Sequence, residues 1–197
     1  MAIDPHPRPD PGKDADITLM QRLAGGEDLA LNEIMERWRD RIASFLLRMV
    51  GDHATAMDLT QETFVRLYMS RKNYKPSAAF PTYLFHIAAN LARTQVRWRK
   101  RHPTVPMEDE TGAPRHEPVE RHPSPDESAD LHEQAALVHR TIAALPDDQR
   151  EALLLFTVEG MSQTEVAAVL GCSAKAVEVR VYRARQSIRE ALARAGW

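Results

Sequence analysis

Tyr83, His86, Asn90, Arg93, Arg97, Lys100 and Arg101 recur at steps of three and four residues, with one adjacent pair at the end. At about 100° per residue they gather, with Thr82, on a helical sector roughly 100° wide. Cations suit a phosphate backbone, while an amide and an aromatic ring suit an unpaired base. The other side of the same helix carries Leu84, Ile87, Ala88 and Leu91, an apolar stripe that a core would cover. The preceding loop, Lys75 to Phe80, lies where an extruded base could be received, and it includes Ser77. A solvated basic face is the competing reading of this helix.

A second constellation closes the chain. Val177, Val181, Ala184, Ile188 and Leu192 form one apolar stripe, opposite Lys175, Glu178, Val179, Tyr182, Arg183 and Gln186. Ser162-Gln163-Thr164-Glu165 is a capping box, Gly171-Cys172-Ser173 a tight turn, and Ser173 the cap of the last helix. A short helix, a turn with Gly and a longer helix make a helix-turn-helix, whose second helix enters the major groove by its N-terminal end. Ala174, Lys175 and Glu178 then approach base edges. Glu178 can accept from a cytosine amine, and Arg183 grips phosphate. An ordinary solvated helix face is again the alternative.

The elements that must position these faces are helical. Ile17–Ala24, Asp28–Val50, a helix capped by Asp52 and running to Ser70, and one from Pro81 to Arg101 precede a break at Pro103. Leu131–Leu145 follows, then a helix opened by Pro146 and ended by Gly160, then the helix-turn-helix. Met20, Met35, Met49 and Met57 with Trp38 and Phe45 read as core. Residues 1–15 are Pro-rich and polar and read as a disordered tail. Residues 103–130 mix Pro with Glu and Asp and read as a flexible linker. The fold class expected is all-α, two small helical domains at 16–102 and 131–197 joined by that linker.

Charge follows the same division. The net charge is −2, but residues 17–102 hold fourteen basic and eight acidic side chains, and 103–130 hold two and eight. The first domain can meet a polyanion and the linker should avoid one.

Other chemistry is set aside. The histidines show no HExxH spacing, and the single cysteine, Cys172, has no thiolate partner, so no metal or other cofactor is expected. Cys172 reads as a half-buried spacer in a turn. Asp147-Asp148 opens a helix and suits its dipole. With no nucleophile–base pairing and no Gly-rich phosphate loop, the chain does not read as an enzyme. No apolar run reaches the roughly 18–20 residues of a membrane span, and the first residues lack a secretion signal, so a cytoplasmic location is expected.

Asp58-Leu-Thr-Gln61-Glu62-Thr-Phe64, then Phe80-Pro-Thr-Tyr-Leu-Phe-His-Ile-Ala-Ala-Asn90 and the basic Arg97-Trp-Arg-Lys-Arg, resemble the first domain of extracytoplasmic-function sigma factors. Ala144-Leu-Pro-Asp-Asp-Gln-Arg150, Gly160-Met-Ser-Gln-Thr-Glu165 and Val177-Glu-Val-Arg180-Val-Tyr-Arg183 look like the second. The resemblance implies a factor that binds core RNA polymerase and directs promoter recognition, with an anti-sigma protein as regulatory partner. It implies that Asp58, Gln61, Glu62 and Phe64 dock on polymerase. Lys75, Ser77, Phe80, Tyr83, His86, Asn90, Arg93, Arg97, Lys100 and Arg101 would hold the −10 element. Ser173, Ala174, Lys175, Glu178, Arg180, Tyr182, Arg183 and Gln186 would read the −35 element. It also lets the acidic linker imitate a phosphate chain in a basic channel of the polymerase. The sequence departs from the family at Pro81, Thr94, Ala176, Glu178 and Val179. Two further readings stay open: a helix-turn-helix regulator that acts without polymerase docking, and a nucleic-acid-processing enzyme.

Overall fold

The computed structural model describes the backbone of residues 13–74, 79–102 and 127–197, and the side chains of 15–74, 79–102 and 133–197. Most of the tail, Lys75, Ser77 and most of the linker lie outside these residues. The chain runs α1 (Lys13–Ala24), α2 (Leu29–Val50), α3 (His53–Ser70), α4 (Phe80–Arg101), α5 (Glu127–Ala144), α6 (Asp147–Leu153), α7 (Gln163–Leu170) and α8 (Ala174–Arg194). The all-helical expectation holds, with no strand among the described residues. Helix α1 starts at Lys13, inside the stretch read as tail, and α5 starts at Glu127, inside the stretch read as linker.

Local signals set the ends. Gly51 at φ +74° closes α2, its N–H donating to Leu47 O at 2.8 Å. The Asp52 carboxylate accepts from the Thr55 N–H at 2.8 Å and starts α3. Both halves of the Ser162–Glu165 capping box form, and the Ser173 hydroxyl accepts from Ala176 N. Between α6 and α7 the chain makes a π-helical turn, Leu154–Val158, that buries Leu154 and Leu155. Its i→i+5 pattern shows in the Glu159 N–H to Leu154 O bond, 3.1 Å.

Helices α1–α4 build a bundle around Ile34, Trp38, Ile42, Phe45, Phe80, Leu84 and Phe85. Edge-to-face rings lock it: Phe45 to Phe85 at 5.4 Å and Trp38 to Phe80 at 5.8 Å between centroids. Helices α5–α8 build a second bundle around Leu153, Leu155, Val166, Val169, Val177, Val181 and Ala184. The two meet directly, α4 against α7 and α2 against α6, and their buried residues form one continuous apolar core.

Candidate nucleic-acid and polymerase interfaces

Pro81 falls in the first turn of α4, where its missing N–H costs nothing. Leu84, Ala88 and Leu91 anchor the helix, leaving His86, Arg97, Lys100 and Arg101 exposed and Tyr83, Asn90 and Arg93 half-buried. The expected basic face therefore exists, with two corrections. Thr82 and Phe80 are core residues, and Phe80, fully buried against Trp38 and Tyr74, cannot offer its ring to a base while the bundle is folded.

Beside that face is a cleft of about 490 Å³ lined by Arg66, Met69, Ser70, Asn73, Tyr83, His86, Ile87 and Asn90. Ser70 Oγ and Tyr83 Oη share a hydrogen bond at 2.6 Å, which fixes the Tyr83 ring at the cleft wall. Arg93 donates to Asn90 Oδ1, turning that amide along the helix. Ser70 and Asn73 belong to the end of α3 and the 3-10 turn Arg71–Asn73. The sequence pattern missed them because they come from a different element than the basic face.

Helix α3 exposes Asp58 and Gln61 and half-buries Glu62, which pairs with Arg66 at 2.7 Å. Phe64 is 2 % exposed and sits in the core, so it can act on a docking partner only by holding the helix in place. Met57, read as core, is instead 41 % exposed, and Val65 lies open on the same helix. Asp58, Gln61 and Val65 follow at steps of three and four, so α3 shows one face that is half polar and half apolar. Such a face fits a protein partner better than a nucleic acid.

On α8, Val177, Val181 and Ala184 are buried and Lys175, Glu178, Tyr182 and Arg183 point outward. Lys175 Nζ pairs with Glu178 at 2.8 Å, so the two flank one spot at the helix entrance. Ser173 serves as the cap and Ala174 is half-buried. Gln186 donates to Glu190 at 2.9 Å. Arg180 turns inward: it lies 3.2 Å from Asp148 on α6, with Cys172 Sγ at 3.5 Å from Nη1. The pair with Asp148 ties Arg180, which the resemblance assigns to the −35 element, to its own bundle.

One carboxyl stands apart. Glu151 on α6 is 4 % exposed, and burial pushes its pKa up to about 7 against the opposing pull of Arg93 and Arg180. Among the described residues no group of three His, Cys, Asp or Glu could hold a metal ion. No described helix is long and apolar enough to cross a membrane.

Comparison with known proteins places this geometry. Residues 34–102 match the Sigma-70 region 2 model and 135–188 the Sigma-70, region 4 model. The chain is 32 % identical over 183 residues to the RNA polymerase sigma-H factor of Pseudomonas aeruginosa, covering 91 % of this chain and 95 % of that one. It is 31 % identical over 178 residues to the ECF RNA polymerase sigma-E factor of Escherichia coli K12, covering 88 % and 92 %. It also resembles the sigma factor RpoE of Bartonella quintana, solved in complex with the anti-sigma factor NepR. The TM-score there is 0.62, with 27 % identity over 82 % of this chain and 95 % of that one. A region 2 match over the first bundle leaves no place for a plain helix-turn-helix regulator. The chain belongs to the sigma-70 family, in its extracytoplasmic-function group, and works not as an enzyme but as a sigma factor that binds core RNA polymerase and directs promoter recognition.

Proposed function

We propose that this sigma factor divides its work among three helices. The α3 face around Asp58, Gln61 and Glu62 docks on polymerase. The cleft and basic face of α4 hold the melted −10 strand, Asn90, Tyr83 and His86 meeting a base and Arg93, Arg97, Lys100 and Arg101 the phosphates. The outer side of α8, with Lys175, Glu178, Tyr182 and Arg183, reads the −35 duplex. The first domain is assigned to residues 13–102 and the second to 127–197, with 103–126 as the connection between them. The solved neighbour is bound to an anti-sigma factor, which supports a partner of that class here; a cytoplasmic location is assigned on the kinship with RNA polymerase sigma factors.

The observation that carries this reading is the cleft beside the basic face. An open cleft roomy enough for a base, with an amide and a phenol in its wall, lies alongside a row of guanidiniums. Holoenzyme footprinting with permanganate tests it. Asn90→Ala should reduce thymine reactivity at the −10 element while leaving duplex binding nearly unchanged. Arg97→Ala should weaken binding on all promoters and flatten its salt dependence. Equal losses for both variants on duplex DNA would contradict the assignment.

A further inference from the structure

The side of α8 that faces away from its core is crowned by an apolar residue. Val177, Val181 and Ala184 are buried, and the direction opposite them carries Lys175, Val179 and Gln186, at successive steps of four and seven residues. Lys175, Val179 and Arg183 stand in one row along the helix, four residues apart. Val179 is 38 % exposed, and Tyr182, three residues on, is 62 % exposed. The polar neighbours on this side are engaged with one another. Lys175 Nζ donates to both carboxylate oxygens of Glu178, at 2.8 and 3.0 Å, and Gln186 donates to Glu190. The opposite charges at the helix entrance compensate each other locally, which leaves the valine methyls as the central feature between Lys175 and Arg183. A β-branched side chain gains nothing in helix propensity at an exposed site. It does keep nearly one rotamer in a helix, so Val179 presents a fixed apolar surface whose ordering costs little on contact.

Resting on the assignment of α8 to the −35 duplex, we propose that Val179 is a specificity-determining residue that reads the 5-methyl group of a thymine. A recognition helix enters the major groove by its N-terminal end, and Val179 is the sixth residue of α8, within the two turns that lie deepest. Base edges in that groove are rows of donors and acceptors, and the thymine methyl is the one apolar group among them. Against a purine, the isopropyl group would cover the N7 acceptor and strip it of water with no donor in return. Against cytosine it would meet a ring carbon without a methyl, with the N4 donor beside it. Thymine alone answers an apolar surface with another, so Val179 ranks thymine above cytosine and cytosine above the purines. Tyr182, one turn further along, borders the same spot, and its ring excludes water from the contact.

Editing single thymines tests this on the complete holoenzyme. Promoters are selected with it from a duplex library randomised at the −35 element. Each −35 thymine of a selected promoter is then replaced in turn by deoxyuridine, which removes the methyl and nothing else. Competition binding should show one position at which the parent loses roughly threefold to fivefold in affinity, the effect of one buried methyl. Val179→Ser, at an exposed site outside the core, should bind the thymine and deoxyuridine templates alike at that position. Arg183→Ala should bind every template more weakly yet still tell the two bases apart. Selected promoters without a −35 thymine, or a parent indifferent to deoxyuridine at every one, overturn the methyl contact without touching the assignment of α8. A loss that persists undiminished in Val179→Ser overturns it too, by giving the methyl to another residue. If Lys175→Ala, Tyr182→Ala and Arg183→Ala all leave −35 selection and binding unchanged, α8 is not the reader, and the assignment and the proposal fall together.

Discussion

Arg150, the fourth residue of α6, reaches out of its own bundle and donates from Nη1 to the carbonyl of Met49, 2.9 Å away at the C-terminal end of α2. Its other terminal nitrogen donates to Leu145 O at 3.1 Å and to Asp147 at 3.0 Å. One side chain, 13 % exposed, thus satisfies carbonyls in both bundles. A cation at a helix C-terminus also complements the helix dipole.

Removing it should uncouple the bundles. Arg150→Ala strands the Met49 and Leu145 carbonyls, which costs roughly 2–3 kcal/mol for bonds to a charged donor. Scanning calorimetry should show the melting transition lowered and split in two. A single transition at the parent's temperature would mean that Arg150 does not join them.

Glu151 gives a pH dependence. Burial raises its pKa from an ordinary glutamate's 4.5 to about 7. Between those values the folded chain holds a proton that the unfolded chain has released, so stability falls as pH rises through that window. Burial pushes Glu159 in the same direction, and Arg41 and Arg48 oppose it. Glu151→Gln should flatten the profile and, near pH 8, exceed the parent's stability by on the order of 1–3 kcal/mol. Denaturant melts from pH 5 to pH 8 check this. A parent that gains stability across the window would refute it.

Polymerase docking depends on exposed groups. Gln61→Ala with Glu62→Ala should weaken core binding several-fold and leave helix content unchanged, because Gln61 is exposed and Glu62 makes only a surface pair with Arg66. Val65→Asp should weaken docking further by charging the apolar half of the face. Co-purification of polymerase at the parent level with both variants would place the docking surface elsewhere.

Glu178 is a proposed point of promoter specificity. A carboxylate at the entrance of α8 repels phosphate, so it aids binding only by accepting from a base, and a good contact contributes roughly 1–3 kcal/mol of discrimination. Glu178→Lys should change the preferred −35 sequence, seen as about a tenfold or larger shift in promoter ranking. It also breaks the pair with Lys175. Arg183→Ala should weaken every promoter alike. A library selection with an unchanged −35 preference in the Glu178 variant would make that residue part of a solvated face.

Features carried by neighbouring residues were legible in the sequence. Asp52, the Ser162–Glu165 box and Ser173 all cap as their types and spacing require, since capping needs only three or four residues of chain. Features decided by packing were not. The Leu153-Leu154-Leu155 run reads as plain helix, and the π-helical turn there is set by what Leu154 and Leu155 must bury. Phe80 reads as the end of an open loop and Thr82 as part of the polar sector of α4, but both are buried, Phe80 between the rings of Trp38 and Tyr74. Met57 reads as core by its residue type, although no described helix packs over that side of α3 closely enough to bury it. The packing of the second bundle against α4 involves residues at least 47 positions apart in sequence, and no local pattern encodes it.

Run-off transcription with purified core polymerase on a pool of the host's own promoters tests the whole account. The parent chain should give discrete transcripts from a subset of templates that share a −35 and a −10 motif, and Asn90→Ala should reduce all of them by loss of open complex. Transcripts that appear equally without the chain, or that initiate with no shared motif, would contradict its role in promoter recognition.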